Sequence, residues 1–279
     1  MQYSIFLRFA VLTAGASLLA GCNAQPPPQS ATDASAWAPG APTWAANWAA
    51  NTWRRGAQPP FLAGFKGDDE FNDPSVPITN DIFTPEALER YNDVREKLGQ
   101  GLSIYDPDAL CHPPGMPAQV ASISNVFRVA IAPDRIVMLF NNGLTYRNIY
   151  MDGRSLPEDP ELTYMGHSVG HWEGDTLVVQ SNGMRSENTQ IEPGLPHSDQ
   201  FRMTERWHPI SNEEIEVTLT YEDPLVFKHP VDTTIRYVKT TEDRLREAFC
   251  VDGNRYVKGP HGELTLTRED GSPLPKAED

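Results

Sequence analysis

The chain has 279 residues, with 23 Lys and Arg against 38 Asp and Glu, and a formal net charge of −15 at pH 7. Affinity for nucleic acid comes from clustered Lys and Arg, so this balance argues against a nucleic-acid partner; an acidic surface also repels anionic membrane, so membrane attachment would need a source other than surface charge. The sequence has no dinucleotide fingerprint, phosphate loop, haem motif or paired CxxC, and no cofactor is expected.

Arg8 is the only charge ahead of an apolar run, 9–20, that is short for a spanning helix and suits the core of a signal peptide. The run ends in Leu18-Leu19-Ala20-Gly21-Cys22, which resembles a bacterial lipobox. The expectation is that 1–21 is removed and Cys22 carries a lipid anchor; the alternative is a simple secretory leader with a coincidental cysteine. Asn23 in place of aspartate resembles an outer-membrane address, facing the periplasm. Losing Arg8 with the leader would make the chain one unit more acidic. Cys111 and Cys250 then remain as an even pair. A disulfide between them is allowed in an oxidising compartment and would stabilise the fold by roughly 4–5 kcal/mol on the chain-entropy model; two buried free thiols are the alternative.

Residues 22–60 are rich in Ala, Pro and Ser, beginning with Pro26-Pro27-Pro28, and read as a tether. Trp37, Trp44, Trp48 and Trp53 interrupt it, and the spacing of Trp44 and Trp48 would give one aromatic helical face able to dock on its own domain, on a partner or at a lipid interface. Within an N-terminal helical and irregular segment, 61–110, Thr84-Pro85-Glu86 starts one helix: Thr84 can cap, Pro85 suits the first turn and the acidic residues sit at the positive end. It should run to about Leu98 and stop at Gly99.

From Cys111 the pattern changes to strand. Runs rich in β-branched and aromatic residues occupy 126–132, 135–141 and 144–151, separated by Pro133-Asp134 and by Asn142-Gly143, a two-residue hairpin signal. Further strands are expected at 166–172, 176–181, 200–208, 214–221, 233–239 and 245–250. Strands at hairpin spacing with no helices between them imply sequential pairing. The fold class is therefore mainly β: an antiparallel up-and-down barrel over 111–269, closed so that no edge is exposed, ahead of a tail at 270–279.

Tyr150-Met151-Asp152-Gly153-Arg154, the run from Gly166-His167-Ser168-Val169-Gly170-His171-Trp172-Glu173-Gly174-Asp175 through Val179, His197-Ser198, Glu205-Arg206 and Asp223-Pro224 form a series. Together with Cys111-His112-Pro113-Pro114-Gly115 and Cys250, it resembles a family of exported bacterial proteins and lipoproteins to which no activity is assigned. The likeness spans roughly 111–250 and departs at His171, where that family more often has arginine or lysine. Gly170-His171-Trp172 also loosely resembles the Gly-x-Trp strand of lipocalin-type barrels.

Alternation puts Gly170, Trp172, Leu177 and Val179 on one face and His167, Val169, His171 and Glu173 on the other. Residues four apart on a strand are roughly 13 Å apart, so His167 and His171 cannot share a tetrahedral ion, and no metal site is assigned. Gly-His-Ser-Val-Gly around Ser168 matches the hydrolase string but lacks its strand-to-helix context. Acid–base chemistry has candidates in Asp152, Arg154, His167, Glu173 and His197, at strand ends where a barrel mouth could gather them. The preferred reading is a pocket for a small, largely apolar molecule, with Arg147, Tyr146, Tyr150, Trp207 and Glu205 among its lining groups. The alternatives are a cofactor-free lyase, isomerase or hydrolase with His167 or His197 as base, and an envelope scaffold protein acting through the tryptophan-rich tether.

Overall fold

The computed structural model describes residues 40–56, 82–99, 103–104, 111–121, 126–141, 145–191, 195–242, 245, 256–258 and 263–267. All belong to the larger of two compact units, 31–279.

Nine strands form a closed barrel: β1 (Thr52–Arg55), then β3 (Val126–Ala132), β4 (Arg135–Phe140), β5 (Tyr146–Tyr150), β6 (His167–Glu173), β7 (Thr176–Asn182), β8 (Arg202–Pro209), β9 (Glu214–Glu222) and β10 (Val231–Thr240). The eight from β3 to β10 match the expected runs to within about two residues. They alternate buried and outward positions because one face of each lines the barrel core. Separately, β2 (Ser103–Ile104), β11 (Tyr256–Lys258) and β12 (Glu263–Leu266) make a small three-stranded sheet. The Asn142-Gly143 turn, all but Leu245 of the strand expected at 245–250, and Cys22 and Cys250 lie outside the described residues. The β4–β5 ladder is antiparallel and ends at Leu139 opposite Tyr146, so a hairpin joins these strands as expected.

The tether boundary at 60 and the barrel start at 111 are corrected by helix α1 (Trp44–Ala50) and strand β1. β1 pairs antiparallel with β10 on one side and β3 on the other, and so closes the ring. The Trp44–Trp48 face does exist, and it docks on the chain's own barrel. Trp48 is fully buried 5.4 Å from Trp207, and Trp44 meets Trp172 edge-on at 5.7 Å. The Trp44 indole donates to the Asp175 carbonyl, and Asn47 donates to that of Asn212, so α1 is pinned across the loops at one end of the barrel. With Trp53 also fully buried, three of the four tryptophans behind the scaffold reading are consumed internally.

At the opposite end sits the expected helix, α2 (Pro85–Gly99). Its Thr84 cap forms as read, accepting from the Ala87 N–H at 3.3 Å. Phe83 packs on Phe227 and Tyr91, and Thr84 N–H donates to the Val226 carbonyl, tying α2 to the β9–β10 loop. A short third helix, α3 (Ala118–Ala121), is buried; the Tyr237 hydroxyl donates to its Val120 carbonyl.

One pair, β5–β6, is parallel, with only Ile149 opposite Ser168 and Tyr150 opposite Val169 in register. Parity requires such a pair: strands in a closed ring cannot alternate direction throughout when their number is odd. A parallel step needs a long crossover, here 151–166. Backbone bonds from Thr163 to Gly183 and from Arg185 to Thr163 hold it to the end of β7. Gly166 brings it back into β6 at φ +61, where a Cβ would lie 2.5 Å from Met184 Sδ and 2.6 Å from the Asn182 carbonyl.

Because Trp48 fills the barrel end from a helix outside the ring, Trp48→Ala should cost about 3–5 kcal/mol. Urea unfolding measures it; a loss below about 1 kcal/mol would mean α1 is a loosely held flap.

Candidate functional site

The barrel interior has an aromatic floor. Trp207 stacks parallel on Tyr237 at 5.2 Å, and Phe127 meets the Tyr237 ring edge-on at 4.9 Å. Above it lies a polar belt. Arg147 on β5 and Glu205 on β8, 1% and 0% exposed, form an ion pair at 2.6 Å. Arg147 Nε also donates to Ser168 Oγ at 3.0 Å and its Nη2 to Ser181 Oγ at 2.8 Å, while the two hydroxyls lie 2.9 Å apart. A guanidinium inside an apolar barrel is tolerable only with such partners, since a bare buried charge neutralises or unfolds its surroundings. The belt joins β5, β6, β7 and β8 and so bridges the parallel seam from within. Burial raises the pKa of the Tyr237 phenol, and the Glu205 charge adds to the rise.

Outside the same seam, where β5 and β6 diverge, lies a cavity of about 440 Å³. Tyr146, Tyr150, Tyr164 and Met165 supply its rings and apolar surface, Asn148 and His167 its polar edge, and Ser168 reaches it from the belt. The arginines around it are matched by carboxylates. Arg154 covers the Tyr150 ring at 3.8 Å while holding Asp152 at 2.5 Å; Arg185 covers Tyr164 at 4.9 Å and pairs with Glu187; Arg135 lies 5.2 Å from the Tyr150 ring and pairs with Asp134. The bonds from Arg154 hold the Asp152 carboxyl below its usual range.

The five acid–base candidates are not drawn together. Asp152 and Arg154 bond to each other at the surface. His167 Nε2 donates to the Glu161 carbonyl at 2.9 Å. Glu173 faces outward with His171 and Arg206, which lower its pKa, Arg206 most. His197 is 3% exposed beside a second cavity of about 450 Å³, between α2 and the 195–200 loop. Its Nδ1 donates to the Ser198 carbonyl at 2.9 Å, and its Nε2 lies 3.0 Å from Thr189 Oγ1, whose own hydroxyl donates to the Arg185 carbonyl. No hydrogen bond joins any of Asp152, His167, Glu173 and His197 to another among the described residues, because they sit on different faces and at different ends of the barrel. The ligand candidates divide as well: Arg147, Glu205 and Trp207 point inward, while Tyr146 and Tyr150 line the outer cavity. Sequence reading missed Ser181 and Tyr164. Strand alternation, which puts Ser181 in line with Leu177 and Val179, was the available signal for the first. Among the described residues no group of His, Cys, Asp and Glu could hold a metal ion.

No protein-family model matches the chain, and neither the curated proteins nor the solved structures contain a match to it. What the molecule itself defines is a closed β-barrel with a charged pair inside and an aromatic cavity on its seam.

Removing one partner of the buried pair strands the other. Arg147→Met or Glu205→Leu alone should therefore cost about 3–5 kcal/mol, and the two together should recover most of it. Simple additivity of the two losses in urea unfolding would contradict this coupling. His197 gives a separate test. Burial lowers its pKa from 6.5, so the unfolded chain takes up the proton first. Its contribution is complete above about pH 6.5 and is lost as pH falls below it, by at most about 1.4 kcal/mol per pH unit. His197→Gln should flatten that slope between pH 6.5 and 5, measured by urea unfolding; an unchanged slope would assign it to other groups.

Proposed function

We propose that this protein is an exported, lipid-anchored barrel that binds a small, neutral, largely apolar molecule in the cavity on its β5–β6 seam. The observation that carries the reading is the cavity itself. Its volume, about 440 Å³, is in the range of small-molecule sites, and its lining sets three tyrosines, Pro113 and Met165 beside the uncharged polar groups of Thr145, Asn148, Thr163 and Ser168. Matched arginines around it leave no unbalanced charge to favour a charged ligand.

The export half of the proposal rests on the sequence. Arg8, the apolar run and Leu18 to Cys22 follow the order of a lipoprotein leader, with Cys22 as the lipidated residue and the outer membrane, facing the periplasm, as the address suggested by Asn23. The motif series from Cys111 to Cys250 is like that of exported bacterial proteins, and a Cys111–Cys250 disulfide suits that compartment. The acid–base reading has less support, since its candidates face separate surroundings.

Titration with the neutral probe N-phenyl-1-naphthylamine tests the binding half. Saturable fluorescence enhancement is expected, weakened about tenfold, or about 1.4 kcal/mol, by Tyr146→Ala and by Tyr164→Ala. Tyr146 is 60% exposed, so its removal should leave the melting temperature nearly unchanged. Binding that is absent, or indifferent to both substitutions, would remove the seam cavity as the site.

A further inference from the structure

Inside the barrel, hydrogen-bond donors outnumber acceptors. Arg147 Nη1, Arg55 Nε and Trp207 Nε1 are buried without a hydrogen-bond partner among the described residues, and in the same belt Glu205 Oε1 is an acceptor in that condition. Buried polar groups in folded proteins are nearly always satisfied, so a donor excess of this kind calls for an acceptor from outside the chain.

The three donors belong to one neighbourhood. Arg55 and Tyr237 are cross-strand partners on β1 and β10, and Trp207 is stacked on the Tyr237 ring. The charge of Glu205 raises the pKa of the Tyr237 phenol, and those of Arg55 and Arg147 lower it. Charge is unbalanced there too. Glu205 neutralises Arg147, whereas Arg55 has no ion pair among the described residues, so among those residues Arg55 and the belt together carry one positive charge in excess within a chain of net charge −15. Arg55 is only partly buried, and solvent reaches it.

We propose that this belt is an anion site that takes the carboxylate of a small monocarboxylic acid, with Arg55, Arg147 Nη1 and Trp207 Nε1 donating to its oxygens. One excess positive charge matches a monoanion. A planar guanidinium presents two parallel N–H groups to a carboxylate, and Arg55, the donor that solvent reaches, is where the acid's apolar remainder would leave the packed core. The site lies inside the wall and does not depend on the seam cavity.

The test is NMR of the full chain, following the indole and guanidinium N–H signals at fixed ionic strength during titration with sodium octanoate, octan-1-ol or inorganic phosphate. Octanoate should shift the Trp207 indole and Arg55 Nε signals saturably, with octan-1-ol and phosphate at least tenfold weaker. Arg55→Gln should weaken octanoate at least tenfold, with Arg55→Lys intermediate and Tyr146→Ala without effect. An equal response to octan-1-ol, an unchanged affinity in Arg55→Gln, or no movement at Trp207 would overturn the site. Should Arg55→Gln fail to fold, the octanoate and octan-1-ol comparison on the unaltered chain decides alone. Loss of octanoate binding in Tyr146→Ala would instead move the acid to the seam.

Discussion

A ring of nine strands cannot be antiparallel throughout, and much of this molecule follows from that constraint. Eight strands from β3 to β10 would close evenly by hairpins, but β1 enters between β10 and β3 and makes the number odd. One neighbouring pair must then run parallel. It falls at β5–β6, where the crossover 151–166 provides the length that a hairpin cannot. A ladder of two residue pairs is a weak joint in a barrel wall, and the sequence strengthens it on both sides. Inside, Arg147 reaches across it to Ser168, Ser181 and Glu205; outside, the crossover folds back onto the end of β7.

Charge inside a barrel is expensive, which explains why Arg147 is given Glu205, Ser168 and Ser181 as partners. Its geometry also selects a register. Shifting β8 by one residue against β7 would turn Glu205 to the exterior and leave Arg147 bare, so the pair penalises misalignment more strongly than any aliphatic contact would. The aromatic floor contributes stability without that selectivity. Trp48, Trp207, Tyr237 and Phe127 fill space closely, yet aromatic packing tolerates small displacements that an ion pair does not.

The strands from β3 to β10 were legible because one side of each is wet and the other dry, which writes a two-residue period into the chain. Strand direction leaves no such trace, so the parallel seam was invisible to periodicity. β1 was missed for another reason: Thr52-Trp53-Arg54-Arg55 is too short to show a period, and it sits in an Ala- and Trp-rich stretch whose composition reads as linker. The inward charges were legible only in part. Arg147, Glu205 and Trp207 were named as lining groups, and they do line the interior, but Tyr146 and Tyr150 belong to a cavity on the other side of the wall. The histidines are tied locally. His167, His171 and His197 attract chemical readings by residue type, whereas their carbonyl, carboxylate and hydroxyl partners give each of them a local structural role.

Closure by β1 has a consequence for assembly. The strand contributes four residues, with Trp53 inside, to two hydrogen-bonded ladders. Some seventy positions of chain separate it from β3. The ladders cannot distinguish one copy's Thr52–Arg55 from another's, because both present the same groups in the same register. What favours the chain's own strand is its high local concentration, fixed by the length of that connection. Closure of the ring therefore carries the entropy cost of bringing together two segments that lie far apart in the chain, a cost that rises only slowly with the length of the connection.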